Sequence, residues 1–154
     1  MDRATVEVIF RALNESGVRY LIVGGLAVVA GWYVRLTADI DLVLAMDTPN
    51  LERATASFEK LGYLPRHPVP IQQFADAEVR ESWIRDKRLI VFTLWNPAHP
   101  LSEVDLFVRC PFDSFDRAWK DAVSVEVAPG VLATVASIDD IIQDPFLVER
   151  AKVK

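Results

Sequence analysis

The spacing of apolar residues at the start of the chain predicts an amphipathic helix followed by a buried strand. Between Val6 and Leu13, apolar side chains recur at i, i+3, i+4 and i+7, the spacing that gathers them on one face of a helix. Gly17 follows, and glycine readily adopts the left-handed conformation that ends a helix. The apolar and β-branched residues at 19–23 then predict a short buried strand.

Beyond this strand, the pattern predicts a turn, two more helices and a second strand. Gly24-Gly25 interrupts the apolar run, and the alanine-rich residues 26–30 predict a helix directly after the turn. Alternating apolar and polar positions in 36–44 predict a strand. A Thr-Pro pair opens the next predicted helix, at 48–61, because threonine caps helices and proline is tolerated at the first helical position.

The second half of the chain contains shorter elements. Residues 78–84 and 88–95 are interpreted as two strands joined by a hairpin at Asp86-Lys87. Residues 137–140 resemble a capping box and predict a short C-terminal helix, which Pro145 would limit or interrupt. Further strands are predicted at 103–108, 123–127 and 131–135, and a helix is predicted within 111–122.

The composition adds that these elements form one domain. The chain has 154 residues, of which 51% are hydrophobic and 25% charged, close to the average of soluble globular proteins. The longest apolar run, 20–34, is shorter than the roughly 20 residues that a membrane-spanning helix needs. The N-terminus also lacks a secretory pattern. We therefore expect a single cytoplasmic domain over residues 1–154, without a membrane segment.

The charged residues and the single cysteine exclude several classes of protein. The formal net charge is −5, which argues against a protein that coats nucleic acid by charge alone. Cys110 is the only cysteine, so an internal disulfide and a cysteine zinc cluster are excluded. A substrate that arrives with metal ions stays compatible with the acidic balance, because such ions bind carboxylates.

Three acidic residues carry the candidate chemistry. Asp39 and Asp41 are two residues apart on a predicted strand, so their side chains share one face, roughly 6.6 Å apart at the backbone. Two carboxylates placed so close repel unless cations lie between them, and two metal ions about 3.5–4 Å apart suit such a pair. Asp105, on a later strand, could share a metal or accept a proton. Taken alone, the Asp39/Asp41 pair and Asp105 are each better explained as acids on a solvated strand face.

Gly24-Gly25 could form a phosphate-binding turn. A helix start exposes unpaired N–H groups, and glycine lets a ligand approach the backbone closely. The plainer interpretation is a tight packing turn. Together, however, strand, glycine turn, helix, Asp39-Ile40-Asp41 and the later Asp105 resemble the nucleotidyltransferase superfamily, which has the fold of β-type DNA polymerases. The stretch from Gly24 to Leu42, with Gly31, Arg35 and Thr37, is similar to the AbiEii-type or minimal nucleotidyltransferase branch.

The resemblance implies a fold, a cofactor and a reaction. The fold would be α+β, with a mixed, mostly antiparallel sheet and helices packed chiefly on one side. Asp39, Asp41 and Asp105 would bind two Mg²⁺ or Mn²⁺ ions that carry a nucleoside triphosphate. An acceptor hydroxyl would then attack the α-phosphorus in line, and pyrophosphate would leave.

The resemblance also implies binding residues and partners. Gly24 and Gly25 would hold the triphosphate, with Arg35 and Thr37 near the phosphates. The acceptor could be RNA such as tRNA, a protein or a small molecule. A toxin-like role with a cognate antitoxin, or a homodimer, is a further implication.

Two other functions stay open at the level of sequence. The chain departs from the AbiEii-type pattern in 143–147, a region where proteins of that branch usually place a lysine. This departure motivates the alternative of a catalytically inactive module that binds nucleotide or a protein partner. The third hypothesis is hydrolysis of a phosphate ester by the same metal pair, with water as the acceptor.

Overall fold

The computed structural model of the chain describes residues 2–24 and 39–151. The predicted helix at 26–30 and the candidate residues Gly25, Arg35 and Thr37 lie outside this part of the chain. The helices are α1 (Arg3–Glu15), α2 (Thr48–Lys60), α3 (Ala77–Lys87), α4 (Phe115–Asp121), α5 (Ile138–Ile142) and α6 (Pro145–Ala151), with a 3₁₀ helix at Ile71–Ala75. The strands are β1 (Tyr20–Val23), β2 (Asp39–Leu44), β3 (Leu64–Pro65), β4 (Val91–Trp95), β5 (Glu103–Phe107), β6 (Val123–Ala128) and β7 (Val131–Val135).

The seven strands form one sheet in the order β3-β4-β5-β2-β1-β7-β6. β2 runs parallel to β5, and β1 runs parallel to β7. The other four neighbouring pairs are antiparallel. The prediction of a mixed, mostly antiparallel sheet is therefore confirmed. The order places β5, β2 and β1 side by side in the middle of the sheet.

Helices cover the sheet unequally, as predicted. The larger apolar core lies on the face packed by the three longest helices, α1, α2 and α3, and by the 3₁₀ helix. It takes Ile40 and Leu42 from β2, which confirms that these two residues point away from Asp39 and Asp41. A smaller core with Val43 and Phe107 lies on the opposite face, against α4, α5 and α6. No helix within 2–24 and 39–151 is long and apolar enough to cross a membrane.

Asn50, in the first turn of α2, fixes the two strands that precede this helix. Its side chain is fully buried, and its Oδ1 accepts a hydrogen bond from Arg19 N at 2.8 Å. Its Nδ2 donates to Arg19 O at 3.0 Å and to Ala45 O at 2.9 Å. Because Arg19 precedes β1 and Ala45 follows β2, one side chain holds the start of β1 against the end of β2.

The predicted strand at 78–84 is wrong, because these residues belong to helix α3. Asp76 caps this helix, and its Oδ1 accepts hydrogen bonds from Glu78 N and Val79 N at 2.9 and 3.2 Å. The predicted hairpin at Asp86-Lys87 is also wrong, because both residues lie in the last turn of this helix, which the left-handed backbone of Arg88 (φ +52°) then ends. The strand predicted at 88–95 is confirmed over Val91–Trp95.

The C-terminal region contains two helices where the sequence predicts one. Ser137 accepts a hydrogen bond from Asp140 N at 3.1 Å and caps α5, as predicted. α5 ends at Ile142, and Pro145 is the first residue of α6, a position where its missing N–H has no cost. Asp144 caps α6 and accepts from Phe146 N at 2.9 Å. Pro145 therefore starts a second helix rather than merely shortening the first.

Candidate active site

One row of residues crosses four neighbouring strands on the face of the smaller core. Thr93 on β4 pairs with Asp105 on β5, Asp105 with Asp41 on β2, and Asp41 with Val23 on β1. Residues paired across neighbouring strands point to the same face of a sheet. The register thus brings Asp41 and Asp105, two predicted site residues, side by side.

Asp39 lies on the same face, one pair further along the two strands. Its partner across the sheet is Glu103 on β5. Burial raises the pKa of Asp39 above its ordinary value, and the negative charges of Asp105 and Glu103 add to the rise. Four carboxylates thus lie in two adjacent rows, and their mutual repulsion makes this part of the sheet favourable for a cation.

Arg150, near the end of α6, bridges the two paired aspartates. Its Nε donates a hydrogen bond to Asp41 Oδ1 at 3.1 Å. Its Nη2 contacts both Asp41 Oδ1 and Asp105 Oδ2. The side chains of Asp41 and Asp105 are only 6% and 9% exposed, whereas that of Arg150 is 25% exposed. One guanidinium therefore closes the site from the solvent side.

Packing of α6 on the smaller core aims Arg150 at the aspartates. Leu147 is fully buried in that core. The ring of Phe146 meets the edge of Phe107, with centroids 5.8 Å apart. The Arg150 guanidinium lies 5.5 Å from the Phe146 ring centroid, one helical turn away.

Burial raises the pKa of Asp41 to about 6. The hydrogen bond and positive charge of Arg150 oppose this rise, while the nearby charges of Asp105 and Asp39 contribute to it. The environment of Asp41 thus disfavours the charged carboxylate, and a nearby cation would stabilise it.

Gly24, directly after β1, leaves the space that the Asp41 carboxylate occupies. Its φ is +78°, and a Cβ at this position would lie 2.2 Å from Asp41 Oδ2. Glycine is therefore required both by the backbone conformation and by the close approach. The prediction that Gly24 holds a triphosphate remains open, but its contact with Asp41 is a second reason for glycine here.

Two residues of the site escape sequence analysis. Thr93 Oγ1 donates a hydrogen bond to Asp105 Oδ1 at 2.6 Å, which fixes the orientation of that carboxylate. The alternating burial of β4 is the sequence feature that could have indicated Thr93. For Arg150, the corresponding feature is a basic residue one helical turn after Phe146, beyond the capping segment at 137–140.

The paired aspartates fit a divalent cation by their chemistry. Both present hard oxygen donors of the kind that Mg²⁺ and Mn²⁺ prefer, and both already share one positive charge. In residues 2–24 and 39–151, no three His, Cys, Asp or Glu side chains gather closely enough to hold a metal ion. The full ligand set of Asp39, Asp41 and Asp105 stays a prediction.

The architecture that carries this site is a nucleotidyltransferase-like fold. Comparison with solved structures finds similarity to ANT(2")-Ia, an aminoglycoside nucleotidyltransferase, in its crystal structure with adenylyl-2"-tobramycin. The two structures agree with a TM-score of 0.57 at 20% sequence identity, over 94% of this chain and 74% of that chain. No protein-family model and no curated protein matches the sequence.

Proposed function

We propose that this chain is a metal-dependent nucleotidyltransferase that moves a nucleoside monophosphate from a triphosphate to an acceptor hydroxyl. The observation that carries the proposal is the direct pairing of Asp41 with Asp105 on β2 and β5, beside the turn at Gly24. The nucleotidyltransferase-like fold supports the proposal, because the strand that carries Asp39 and Asp41 lies beside the strand that carries Asp105, as the sequence resemblance implies.

In the proposed reaction the three aspartates bind metal, and Asp105 also accepts a proton. Asp39, Asp41 and Asp105 would hold two Mg²⁺ or Mn²⁺ ions, which when bound neutralise charge on the attacking and leaving oxygens. The acceptor oxygen forms a bond to the α-phosphorus while the bond from that phosphorus to the bridging oxygen breaks, and pyrophosphate leaves. We assign the hydroxyl proton to the carboxylate of Asp105, which Thr93 orients.

The triphosphate site and the biological role come from the sequence resemblance. Gly24 and Gly25 would bind the phosphates through backbone N–H groups, with Arg35 and Thr37 nearby. The proposed branch is AbiEii-type, with a toxin-like role and a cognate antitoxin as partner. The proposed acceptors are RNA, protein or a small hydroxyl compound, and the complex of ANT(2")-Ia with adenylyl-2"-tobramycin supports including aminoglycosides among them.

A labelling experiment tests the proposal. The purified chain is incubated with each α-labelled nucleoside triphosphate, Mg²⁺ or Mn²⁺, and separate pools of RNA, proteins and small alcohols including tobramycin. We expect label transfer and pyrophosphate release by the wild type, and none by Asp41→Asn or Asp105→Asn. Asp86→Asn, at an exposed position of α3, is the matched control and should retain activity. Equal transfer by Asp41→Asn and the wild type contradicts the assignment.

A catalytically inactive module is the second candidate, and the bridging of Asp41 and Asp105 by Arg150 favours it. A permanent bridge would leave no place for metal ions between these carboxylates. Calorimetry with a nucleoside triphosphate and Mn²⁺ separates the two candidates, because binding without turnover on any acceptor pool supports the module. Monophosphate release without a labelled acceptor would instead indicate hydrolysis, with water as the acceptor.

A further inference from the structure

Arg150 occupies the position between the two carboxylates that a divalent cation would need. We propose that Arg150 is a built-in competitor of divalent cations, and that it must leave Asp41 and Asp105 before they can bind metal. This inference rests on the proposed function, because that function requires metal at these carboxylates. It adds that α6 regulates access to the site.

The contacts of Arg150 match those of a cation held by two ligands. One guanidinium contacts Asp41 through Nε and Nη2, and contacts Asp105 through the same Nη2. A carboxylate oxygen that accepts these hydrogen bonds has less electron density to offer a metal ion. Because both carboxylates are almost fully buried, neither can rotate into bulk water to find another cation. Metal and guanidinium therefore compete for Asp41 Oδ1 and Asp105 Oδ2.

Few buried side chains attach α6 to the sheet. The helix has seven residues, and a helix so short is not stable in water without packing. Only Leu147 among residues 145–150 is fully buried, whereas Phe146 and Val148 are exposed. The helix can therefore move away from the sheet, or Arg150 can turn outward from it, at a limited cost.

Competition of this kind has a quantitative consequence. A ligand that binds only the open form has its apparent affinity reduced by the fraction of molecules that are open. Removing the Arg150 guanidinium should therefore tighten metal binding. By reciprocity, metal binding should loosen α6 by the same free energy. Both effects are measurable without nucleotide and without turnover.

The first experiment is a Mn²⁺ titration of the full chain at neutral pH, followed by the electron paramagnetic resonance signal of free Mn²⁺. We expect Arg150→Gln to lower the dissociation constant about tenfold relative to the wild type, which corresponds to a tenth of wild-type molecules being open. Arg85→Gln removes one positive charge from an exposed position of α3 and should bind Mn²⁺ as the wild type does. Asp41→Asn should abolish the binding.

The outcomes separate this inference from the proposed function. Equal Mn²⁺ affinity in Arg150→Gln and the wild type, with binding lost in Asp41→Asn, overturns the competition but leaves the metal site of the proposed function intact. Absence of Mn²⁺ binding in every variant overturns both the competition and the proposed metal dependence. Label transfer that nevertheless occurs would then identify a metal-independent activity.

A second measurement covers the case in which Arg150→Gln fails to fold. Hydrogen exchange of the wild type is followed by mass spectrometry with and without saturating Mn²⁺. We expect amides of α6 to exchange faster with Mn²⁺ bound, and those of α1 to be unchanged. The same comparison in Asp41→Asn should show no effect on α6. Unchanged α6 exchange in the wild type at saturation contradicts the proposal.

Discussion

A side chain at position 24 and the carboxylate of Asp41 require the same space. The Cβ of any residue other than glycine would lie 2.2 Å from Asp41 Oδ2 and 3.1 Å from its Cγ. Both atoms belong to a buried carboxylate whose Oδ1 also accepts a hydrogen bond from Arg150, so Asp41 cannot move aside freely. The turn after β1 and the carboxylate on β2 therefore constrain one another, so a substitution at position 24 should also alter the position of Asp41.

Gly24→Ala should destabilise the fold and disturb the site together. The left-handed backbone alone costs about 1–2 kcal/mol for a residue with a Cβ, and displacement of Asp41 adds to this cost. Mn²⁺ binding should weaken with it, because Asp41 can no longer pair with Asp105 in the same geometry. Urea denaturation and Mn²⁺ titration measure the two effects.

Gly130→Ala is the matched control for this substitution. Gly130 has nearly the same backbone conformation, with φ +75°, but no atom lies within 4 Å of its hypothetical Cβ. It should show the backbone cost of about 1–2 kcal/mol and retain Mn²⁺ binding. If the two alanine variants behave alike, the contact between position 24 and Asp41 has no energetic role.

Thr93→Val should impair the orientation of Asp105 while keeping the shape of the side chain. The substitution removes the 2.6 Å hydrogen bond from Thr93 Oγ1 to Asp105 Oδ1. We expect kcat to fall about tenfold with little change in KM for the nucleotide, since the lost interaction orients a reacting group rather than binding substrate. Thr134→Val, at a half-buried position of β7 outside this row, should leave both constants unchanged. An effect on KM alone would contradict a positioning role.

The sequence predicts those parts of the fold where hydrophobic period and burial agree. In β2, Ile40 and Leu42 are apolar and buried, so their alternation with Asp39 and Asp41 correctly indicates the two faces. In α3 the agreement between hydrophobicity and burial fails at Arg80, which is buried and donates a hydrogen bond to Phe74 O at 2.5 Å. A charged residue on the buried face of a helix hides the helical period, and for this reason the sequence pattern wrongly predicts a strand at 78–84.

The candidate site was predicted only where its residues are close in sequence or lie on identifiable strands. The acids Asp41 and Asp105 stand out because aspartate is rare in strands. Arg150 lies more than a hundred residues from Asp41, and no local pattern links the two. Their contact depends on how α6 packs, which Leu147 and Phe146 determine through the smaller core.

Asn50→Ala should cost more than substitutions nearby on the same helix. It removes three hydrogen bonds and leaves Arg19 N and Ala45 O without their partner, while Arg19 O keeps its hydrogen bond from Ala45 N at 3.2 Å. We expect a loss of about 3 kcal/mol in the free energy of unfolding, because each buried polar group left unpaired costs roughly 1–3 kcal/mol. Glu52→Ala, exposed on the same helix, should cost little. Equal losses in the two variants would show that the Asn50 bonds do not hold β1 against β2.

Arg150→Gln should raise the pKa of Asp41 above its wild-type value. Burial already raises that pKa from 3.8 to about 6, and the hydrogen bond and charge of Arg150 limit the rise. Removing the guanidinium eliminates this limit. A titration of the metal-free protein, followed by ¹³C NMR of the side-chain carboxyls, measures the change. Arg85→Gln should leave the pKa as in the wild type, and a pKa that falls in Arg150→Gln contradicts the bridging geometry.

The same shift determines the sign of the pH dependence of stability. Because the folded-state pKa of Asp41 is raised, the folded chain binds this proton more tightly than the unfolded chain. The stabilising contribution of Asp41 to the free energy of unfolding is therefore fully present below pH 3.8, and it is lost as the pH rises through about 6. In Arg150→Gln this loss should extend to higher pH. Asp41→Asn should abolish this pH-dependent loss of stability. Thermal melts of the wild type, Arg150→Gln and Asp41→Asn across this pH range test the prediction.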